Sequence, residues 1–320
     1  ALLNPLSHLA ESPPLATVTS TETRSSDSGL AVGIAAYLLW GFLPLLFNLL
    51  HHVGSTTLVA NRTLWSLLFV GIILMVAGRT AEVRAVLRDR ASTMRMGVAA
   101  IFLAANWLIY VYSVETGQVL EASFGYFINP LVNVAFGMVL LNEKLNRVQV
   151  VAIAIAAVGI AVQAAGLGNF PVIAVTLAVT FAIYSYLRKT AKATALGGLF
   201  VETLLLSPIA LGYLAFTTIG NGTLGPLADP YPLFLLMLTG PGTAIPLLLF
   251  AYAVQRLKLT TMGMLQYISP SIQFVLALVF FGEHLNATRL VSFAFIWLSL
   301  IIFTTDSVVR RRRPPVADPT

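Results

Sequence analysis

The chain alternates long apolar stretches with short polar connections. A helix needs roughly 20 apolar residues to cross a hydrocarbon core about 30 Å thick, and ten stretches approach or reach that length. They fall at about 30–50, 56–77, 96–114, 120–141, 148–165, 171–187, 197–219, 232–254, 260–281 and 290–305. The pattern therefore predicts ten transmembrane helices, which we call spans 1 to 10.

Composition supports a membrane protein and excludes several other classes. Hydrophobic residues make up 58% of the chain and charged residues 10%, whereas soluble domains average about 45–50% and about 25%. So few charges cannot cover a soluble surface, so we predict an all-α polytopic membrane protein. The sequence has no cysteine, which excludes disulfide scaffolds, thiolate nucleophiles and iron–sulfur clusters.

The Lys and Arg residues predict the orientation of the bundle. Of the 19, 17 fall on one side, one (Arg289) falls in a loop on the other, and Arg62 lies inside a span. Basic loops stay in the cytoplasm, so we expect both termini there and the protein in the cell membrane. Basic residues spread over every inner loop indicate topology and not a nucleic-acid surface. The cluster 310–313 is interpreted in the same way, with binding of anionic lipid headgroups as the alternative. The expected partners are the lipid bilayer and a small-molecule substrate.

Two tails and two five-span repeats make up the predicted domain organisation. Residues 1–29 are polar and lack the pattern of a signal peptide, so we expect a flexible cytoplasmic tail. Residues 30–165 and 171–305 form the two repeats, and residues 306–320 form a basic cytoplasmic tail.

The repeats are related by a constant offset along the chain, equal to the distance from Tyr126 to Gln266. We call it the repeat offset. The run YFINP from Tyr126 is answered by QYISP from Gln266, and the same offset places Glu143 on Glu283 and Tyr112 on Tyr252. Because each repeat holds an odd number of spans, the halves must cross the bilayer in opposite senses. Inverted repeats are typical of alternating-access transporters, whose substrate sites lie near the midplane.

Two ionisable residues fall inside spans, where insertion costs about 2.5–3.5 kcal/mol. Arg62 and Glu202 are related by the repeat offset and have opposite charge. Arg62 could meet an anionic group of the substrate, and Glu202 could bind a cationic group or a proton. Alternatively, each is a structural anchor held by hydrogen bonds, with Asn61 beside Arg62. The sequence leaves both interpretations open, and with them proton coupling.

Prolines and polar residues at matching depths predict a cavity. Proline removes a backbone hydrogen bond and generally kinks a helix, so we expect kinks at Pro130, Pro246 and Pro270. Substrate-binding or coupling residues are predicted on the same spans and on span 3. The full set is Arg62, Asn106, Trp107, Tyr110, Tyr126, Asn129, Asn133, Glu202, Tyr267 and Gln273.

Other polar residues are interpreted as structural. Glu121, Glu143 and Glu283 lie at span ends, where a carboxylate stabilises a helix N-terminus or pairs with a neighbouring loop. The aspartates and histidines lie in tails, loops or at span ends, and no phosphate-binding loop or zinc-protease motif occurs. We therefore expect no enzyme activity, no metal and no cofactor.

Several runs carry a family resemblance that extends over residues 33–303. They are AAYLLWGFLP from Ala35, NRTLWSLLF from Asn61, ANWLIYVY from Ala105, LEASFGYFINPLVN from Leu120, FAIYSYLRK from Phe181, VETLLLSP from Val201, QYISP from Gln266 and FAFIW from Phe293. With these runs the chain resembles the RarD-type permeases (the chloramphenicol-sensitive protein group) of the EamA family, in the drug/metabolite transporter superfamily.

The resemblance implies a ten-helix bundle of two inverted repeats that carries small organic molecules, with an outward direction and a link to chloramphenicol. Two positions depart from the group: Asn61 stands where a His is expected, and Ser185 where a Gly is usual. The first bears on any proton-linked role of that position, and the second on close packing of span 6. A channel or a non-transporting membrane receptor remains the alternative function.

Overall fold

The computed structural model describes residues 16–50, 52–165, 170–221, 225–280 and 287–312. These residues form twelve α-helices and one short 3-10 turn, Gly225–Leu227. The helices are α1 (Ala16–Leu49), α2 (Ser55–Val76), α3 (Thr80–Arg88), α4 (Arg90–Glu115), α5 (Val119–Leu140), α6 (Arg147–Ala164), α7 (Val172–Lys189), α8 (Ala195–Asn221), α9 (Pro230–Arg256), α10 (Leu259–Gln266), α11 (Ile268–Val279) and α12 (Ala287–Arg312).

The ten predicted spans are confirmed. Within the described ranges, ten helical segments are long and apolar enough to cross a membrane. Spans 1 to 8 correspond to α1, α2 and α4 to α9, span 9 to α10 with α11, and span 10 to α12. Many large apolar side chains on these helices are exposed, such as Ile101, Ile209 and Ile301, as expected where lipid and not water covers the surface.

Residues 16–29, which the sequence analysis assigned to a flexible tail, belong to helix α1. Extending an existing helix adds one hydrogen bond per residue without a new nucleus, and no proline interrupts the chain between Pro14 and Pro44. The rest of the predicted tail, residues 1–15, lies outside the described part of the chain.

The connection between spans 2 and 3 contains a helix that the sequence analysis missed. Helix α3 is short and amphipathic: Val86 is buried, whereas Arg84 and Arg88 are exposed. Glu82 accepts a hydrogen bond from the Thr194 hydroxyl (2.6 Å) and pairs with Arg79. These contacts attach α3 to the start of α8.

Span 9 is broken into two helices at Tyr267, three residues before Pro270. Proline has no N–H to donate and its ring clashes with the carbonyl four residues earlier, here that of Gln266. The predicted distortion at Pro270 therefore coincides with a helix break. Helices α5 and α9 run without interruption through Pro130 and Pro246, and a bend at those positions stays a prediction.

The helices pack in a pattern compatible with two inverted repeats. Helix α2 packs against α8, α5 against α10, and α6 against α12, which are equivalent spans of the two repeats. The remaining large contacts form matched pairs: α1–α9 with α4–α7, α5–α7 with α1–α11, and α2–α9 with α4–α8. If each helix is replaced by its equivalent in the other repeat, every helix pair named here becomes either the same pair or the pair matched to it.

Small residues allow the closest helix approaches. A Cβ atom at Gly240 would lie 2.6 Å from the backbone carbonyl of Trp65, so α2 and α9 pack backbone to backbone. A Cβ atom at Gly263 would lie 2.6 Å from the Pro130 carbonyl oxygen, where α10 crosses α5. Transmembrane helices gain van der Waals contact from such small residues.

Hydrogen bonds join the predicted inner loops at one end of the bundle, which we call the basic end. Arg95 donates to the carbonyl of Thr190, and Lys189 donates to the carbonyl of Leu257. At the same end, the Asn146 amide donates to Asp306 (2.6 Å). The positive-inside rule predicts that the basic end faces the cytoplasm.

Candidate substrate cavity

A cavity of about 190 Å³ lies inside the bundle, enclosed between helices of both repeats. The walls are largely aromatic and apolar, with polar side chains at a few points. The lining residues are Trp40, Leu43, Pro44, Phe47, Val59, Arg62, Leu103, Asn106, Trp107, Tyr110, Gly125, Tyr126, Asn129, Leu177, Phe181, Leu247, Gln266, Ser269, Pro270 and Gln273.

The cavity lies on the side of the midplane away from the basic end. Arg62 is in the first half of α2, which starts at the far end of the bundle, and Trp107 is in the second half of α4, which ends there. Tyr126 and Asn129 lie in the first half of α5. In the predicted orientation this is the outer half of the membrane.

Arg62 is the charged residue of the cavity wall. Its guanidinium carbon lies 4.0 Å from the centroid of the Trp107 ring and 5.6 Å from that of Phe47. Its Nε is buried without a hydrogen-bond partner. Asn61, the neighbouring anchor suggested from the sequence, is buried and donates to the Thr57 carbonyl instead. Aromatic rings attract the cation but leave its charge uncompensated.

The polar lining is partly anchored by hydrogen bonds to other helices. The Asn106 amide donates to the Leu177 carbonyl (2.8 Å) and to the Thr180 hydroxyl (3.0 Å), which joins α4 to α7. The Ser269 hydroxyl donates to the Tyr37 carbonyl (2.6 Å), which joins α11 to α1. Such bonds fix the wall of the cavity while leaving amide and hydroxyl oxygens available to a ligand.

Asn133 and Gln266 form a buried bridge beneath the cavity. The Asn133 amide donates to Gln266 Oε1 (2.8 Å) and to Asn129 Oδ1 (3.3 Å). Asn133 is therefore connected to two lining residues without belonging to the lining itself. Its own Oδ1 is buried and has no partner.

Glu202 lies outside the cavity, in a buried ion pair near the basic end. Its Oε1 accepts from Arg188 Nη1 (3.2 Å), and both side chains are completely buried. The Tyr184 hydroxyl donates to Glu202 Oε2 (3.4 Å), and Arg188 also donates to the Ala195 carbonyl. Arg188 is one of the 17 basic residues that the sequence analysis assigned to the inner side, but it is a core residue of α7. The absence of a side chain at Gly198 makes room for it.

A layer of aromatic side chains separates the cavity from this ion pair. It consists of Tyr37, Trp40, Phe181, Tyr184 and Phe250, and we call it the aromatic layer. The ring centroids of Tyr184 and Phe250 lie 6.0 Å apart in a stacked arrangement, and Phe181 lies 5.6 Å from Phe250. Tyr37, Tyr184 and Phe250 are at most 1% exposed. The aromatic layer closes the bundle toward the basic end.

The structure brings most of the predicted site residues together. Those that line the cavity are Arg62, Asn106, Trp107, Tyr110, Tyr126, Asn129, Gln273 and the kink residue Pro270. Those that do not are Asn133, Glu202, Tyr267, Pro130 and Pro246. Tyr267 is completely buried in the core cluster of Phe124 and Phe127. It lies on a different face of span 9 from the lining residues Gln266, Ser269, Pro270 and Gln273.

Sequence reasoning missed the contribution of span 1 and part of the aromatic wall. Trp40, Phe47, Phe181 and Gln266 also line the cavity. One signal was present: the repeat offset places Gln266 on Tyr126. No comparable pattern marks Trp40 or Phe47, since a tryptophan or phenylalanine in a span more often faces lipid or a neighbouring helix.

The carboxylates at span ends behave as predicted where they are described. Glu143 accepts from the backbone N–H groups of Leu259 (2.7 Å) and Thr260 (2.9 Å), at the start of α10. Glu121 accepts from the backbone N–H of Ile173 (2.7 Å), at the start of α7. Each carboxylate caps a helix other than its own. Glu283 lies outside the described residues.

The second departure noted above, Ser185, is accommodated in the core. Its side chain is fully buried, and its hydroxyl donates to the Phe181 carbonyl (2.8 Å) one turn earlier. Among the residues that the structure describes, no group of three or more His, Asp or Glu side chains is placed to hold a metal ion.

Comparison with known proteins gives a consistent picture over nearly the whole chain. Residues 27–164 match the model of the EamA-like transporter family. The chain is 36% identical to Protein RarD of Escherichia coli (strain K12) over 293 residues, which cover 91% of this chain and 99% of that protein. It is 38% identical to an uncharacterized transporter of Pseudomonas aeruginosa over 293 residues, or 92% of this chain and 98% of that protein.

A solved crystal structure has the same fold. It matches 90% of this chain and 99% of its own length with a TM-score of 0.68. The sequence identity is 20%, so the match supports the arrangement of helices and carries no information on the substrate.

Proposed function

The chain belongs to the EamA-like transporter family, and we propose that it is a secondary transporter that moves small organic molecules through the central cavity by alternating access. The observation that carries the proposal is the cavity itself. It has polar points in an aromatic wall, lies between the two repeats, and is closed on one side by the aromatic layer. Sites at repeat interfaces near the midplane are typical of such transporters.

The closed side suggests how access alternates. Toward the basic end, the aromatic layer and the Arg188–Glu202 pair lie in succession beneath the cavity. Opening that end would separate α7, α8 and α9, while the equivalent helices α1, α2 and α4 would close at the far end. In the predicted orientation in the cell membrane, with cytoplasmic termini, the structure then represents the state closed to the cytoplasm.

We propose that transport is outward, with single-ring metabolites and chloramphenicol-like compounds as candidate substrates. An engineered apolar cavity of about 150 Å³ holds benzene, so 190 Å³ suits a molecule with one ring and a polar group. Chloramphenicol is larger and would require the cavity to expand. It therefore belongs in the test panel as the large member.

Transport could be coupled to protons through Glu202 or could be facilitated diffusion, and proton coupling is the less direct of these two mechanisms. A proton would have to reach a carboxylate that is buried, paired with Arg188 and hydrogen-bonded by Tyr184. Facilitated diffusion requires no such step. The two mechanisms are distinguished by measuring proton movement during transport.

The test is flux into proteoliposomes loaded with a pH-sensitive dye, comparing the native chain with Glu202→Gln and with Glu82→Gln as a partly exposed control. The panel holds chloramphenicol, hydrophobic amino acids and single-ring acids and amides. Saturable flux supports a transporter, and proton counter-movement that disappears only in Glu202→Gln, while that variant retains substrate flux, assigns coupling to Glu202. Unsaturable flux or unitary currents would support a channel, and no flux over the whole panel would favour a receptor.

A further inference from the structure

We infer that the central cavity is built for a small organic monoanion, a carboxylate attached to a body of about one ring, with Arg62 as its counter-charge. The inference rests on the proposed transport function and specifies the substrate class of the same cavity. Three observations support it: the positive charge of the cavity wall, the bonds that already occupy the described carboxylates, and the difference between the repeats in how their equivalent charges are paired.

The cavity wall carries an uncompensated positive charge. An arginine guanidinium remains protonated in proteins, and burying a charge is costly unless it is paired. Arg62 Nε is buried without a hydrogen-bond partner, and its guanidinium faces the rings of Trp107 and Phe47. The other polar side chains of the lining are neutral amides and hydroxyls. The wall therefore favours an anion.

No carboxylate with a described side chain is available to neutralise Arg62, because each is bonded elsewhere. The bonded carboxylates are Glu82, Asp89, Glu121, Glu143, Glu202, Asp229 and Asp306. Several of them serve as helix caps, which would be lost if they turned toward the cavity. Among the carboxylates whose side chains the structure describes, none supplies the counter-charge, which leaves that role to the ligand.

The two repeats treat their equivalent charges differently. In the second repeat Glu202 is compensated by Arg188 at 3.2 Å. The repeat offset places Arg62 on Glu202 and Asn48 on Arg188. The first repeat thus has a neutral amide where the second has the compensating charge. One charge is satisfied within the protein, and the other is left for a bound molecule.

The charge count selects a monoanion. One carboxylate neutralises one guanidinium and can accept two parallel hydrogen bonds from it. A dianion would leave a net negative charge in a wall without a second cation, and a zwitterion would bring an ammonium group without a described carboxylate to receive it. The aromatic residues around Arg62, together with a volume of about 190 Å³, fit a single-ring body.

The experiment uses three ligands of nearly equal size, phenylacetate, its neutral amide phenylacetamide and phenethylamine, together with the somewhat larger zwitterion phenylalanine. Binding to the full chain in detergent is measured by tryptophan fluorescence, and flux by counterflow in proteoliposomes. Empty liposomes give the background from diffusion of the protonated acid. The variants are Arg62→Gln, Arg62→Lys and Arg84→Gln, in which Arg84 is an exposed control on α3.

We expect phenylacetate to bind at least tenfold more tightly than the amide or the amine. Arg62→Gln should abolish that preference, Arg62→Lys should keep part of it, and Arg84→Gln should leave it unchanged. Equal binding of the amide, or tighter binding of the amine or phenylalanine, would overturn the monoanion assignment and leave transport intact. A preference that survives in Arg62→Gln would overturn the role of Arg62.

Two further outcomes separate this inference from the proposed function. Saturable flux of chloramphenicol or other neutral compounds, with none of phenylacetate, would contradict the inference alone. No saturable flux of any compound would contradict both. If Arg62→Gln fails to elute as a monodisperse protein, the ligand series on the native chain still decides the question, because phenylacetate, phenylacetamide and phenethylamine differ in charge at nearly constant size.

Discussion

Arg188 Nη1 lies 3.2 Å from Glu202 Oε1, and neither side chain is exposed to any extent. The pair joins α7 to α8 at the basic end, under the stacked rings of Tyr184 and Phe250. Removing one partner of a buried pair leaves an uncompensated charge, whereas replacing both with apolar residues is often tolerated. The position of the pair makes it both a structural element and part of the closure toward the predicted cytoplasmic side.

Single substitutions of this pair should destabilise the protein strongly. Glu202→Leu leaves the Arg188 charge buried and should cost about 3–5 kcal/mol, measured as a lower melting temperature in detergent by tryptophan fluorescence. The double variant Arg188→Met/Glu202→Leu should recover most of the loss. The control is the partly exposed pair Arg79–Glu82, where Arg79→Leu should cost about 0–1 kcal/mol. Equal effects at both pairs would contradict the buried pairing.

The approach of α2 and α9 should be sensitive to one methyl group. Gly240→Ala places a Cβ atom against the Trp65 backbone, and overpacking of this kind costs about 1–3 kcal/mol. Gly212→Ala is the matched control, since a Cβ atom there meets nothing within 4 Å. We expect a lower melting temperature and lower yield for the first and no loss for the second. A native-like Gly240→Ala would mean that the helices are farther apart.

The cap that Glu143 supplies to α10 should stabilise the contact between the repeats. Glu143→Ala leaves the N–H groups of Leu259 and Thr260 without their acceptor, and α10 has no capping bond from its own N-cap residue, Lys258. We expect a loss of about 1–3 kcal/mol and a smaller loss for Glu143→Gln, which keeps an acceptor oxygen. Amide hydrogen exchange at the start of α10 should rise in parallel; unchanged exchange would argue against the cap.

Trp107 should contribute to substrate affinity, and its neighbour should not. Trp107→Ala removes the ring that lies 4.0 Å from Arg62; a cation–π contact is worth about 0.5–2 kcal/mol. For a transported substrate we expect the KM of flux to rise by roughly 5- to 30-fold, which corresponds to about 1–2 kcal/mol. Leu108→Ala, at a residue that is 52% exposed on the outside of the bundle, should leave KM unchanged. Equal effects would place the substrate elsewhere.

The ten spans and the distribution of basic loops can be predicted from the amino-acid sequence. Length and hydrophobicity suffice for this, because every backbone polar group in a bilayer must be satisfied within its own helix. The repeat offset also indicated which positions of the two repeats correspond. Most of the candidate cavity residues followed from it, including Arg62, Asn129 and Gln273, because polar residues in spans seldom face lipid.

The pairing of the buried charges, in contrast, follows from how the helices pack in three dimensions. Arg62 and Glu202 are equivalent in sequence, yet Glu202 meets Arg188 whereas Arg62 faces Trp107. Arg188 looked like one more loop cation because the end of a span is uncertain by a few residues, and its burial depends on the space left by Gly198 on another helix. Likewise, only the packing of span 9 places Tyr267 in the core and not in the cavity lining. Partner choice between helices depends on their rotation and depth, which hydrophobicity along a single chain does not encode.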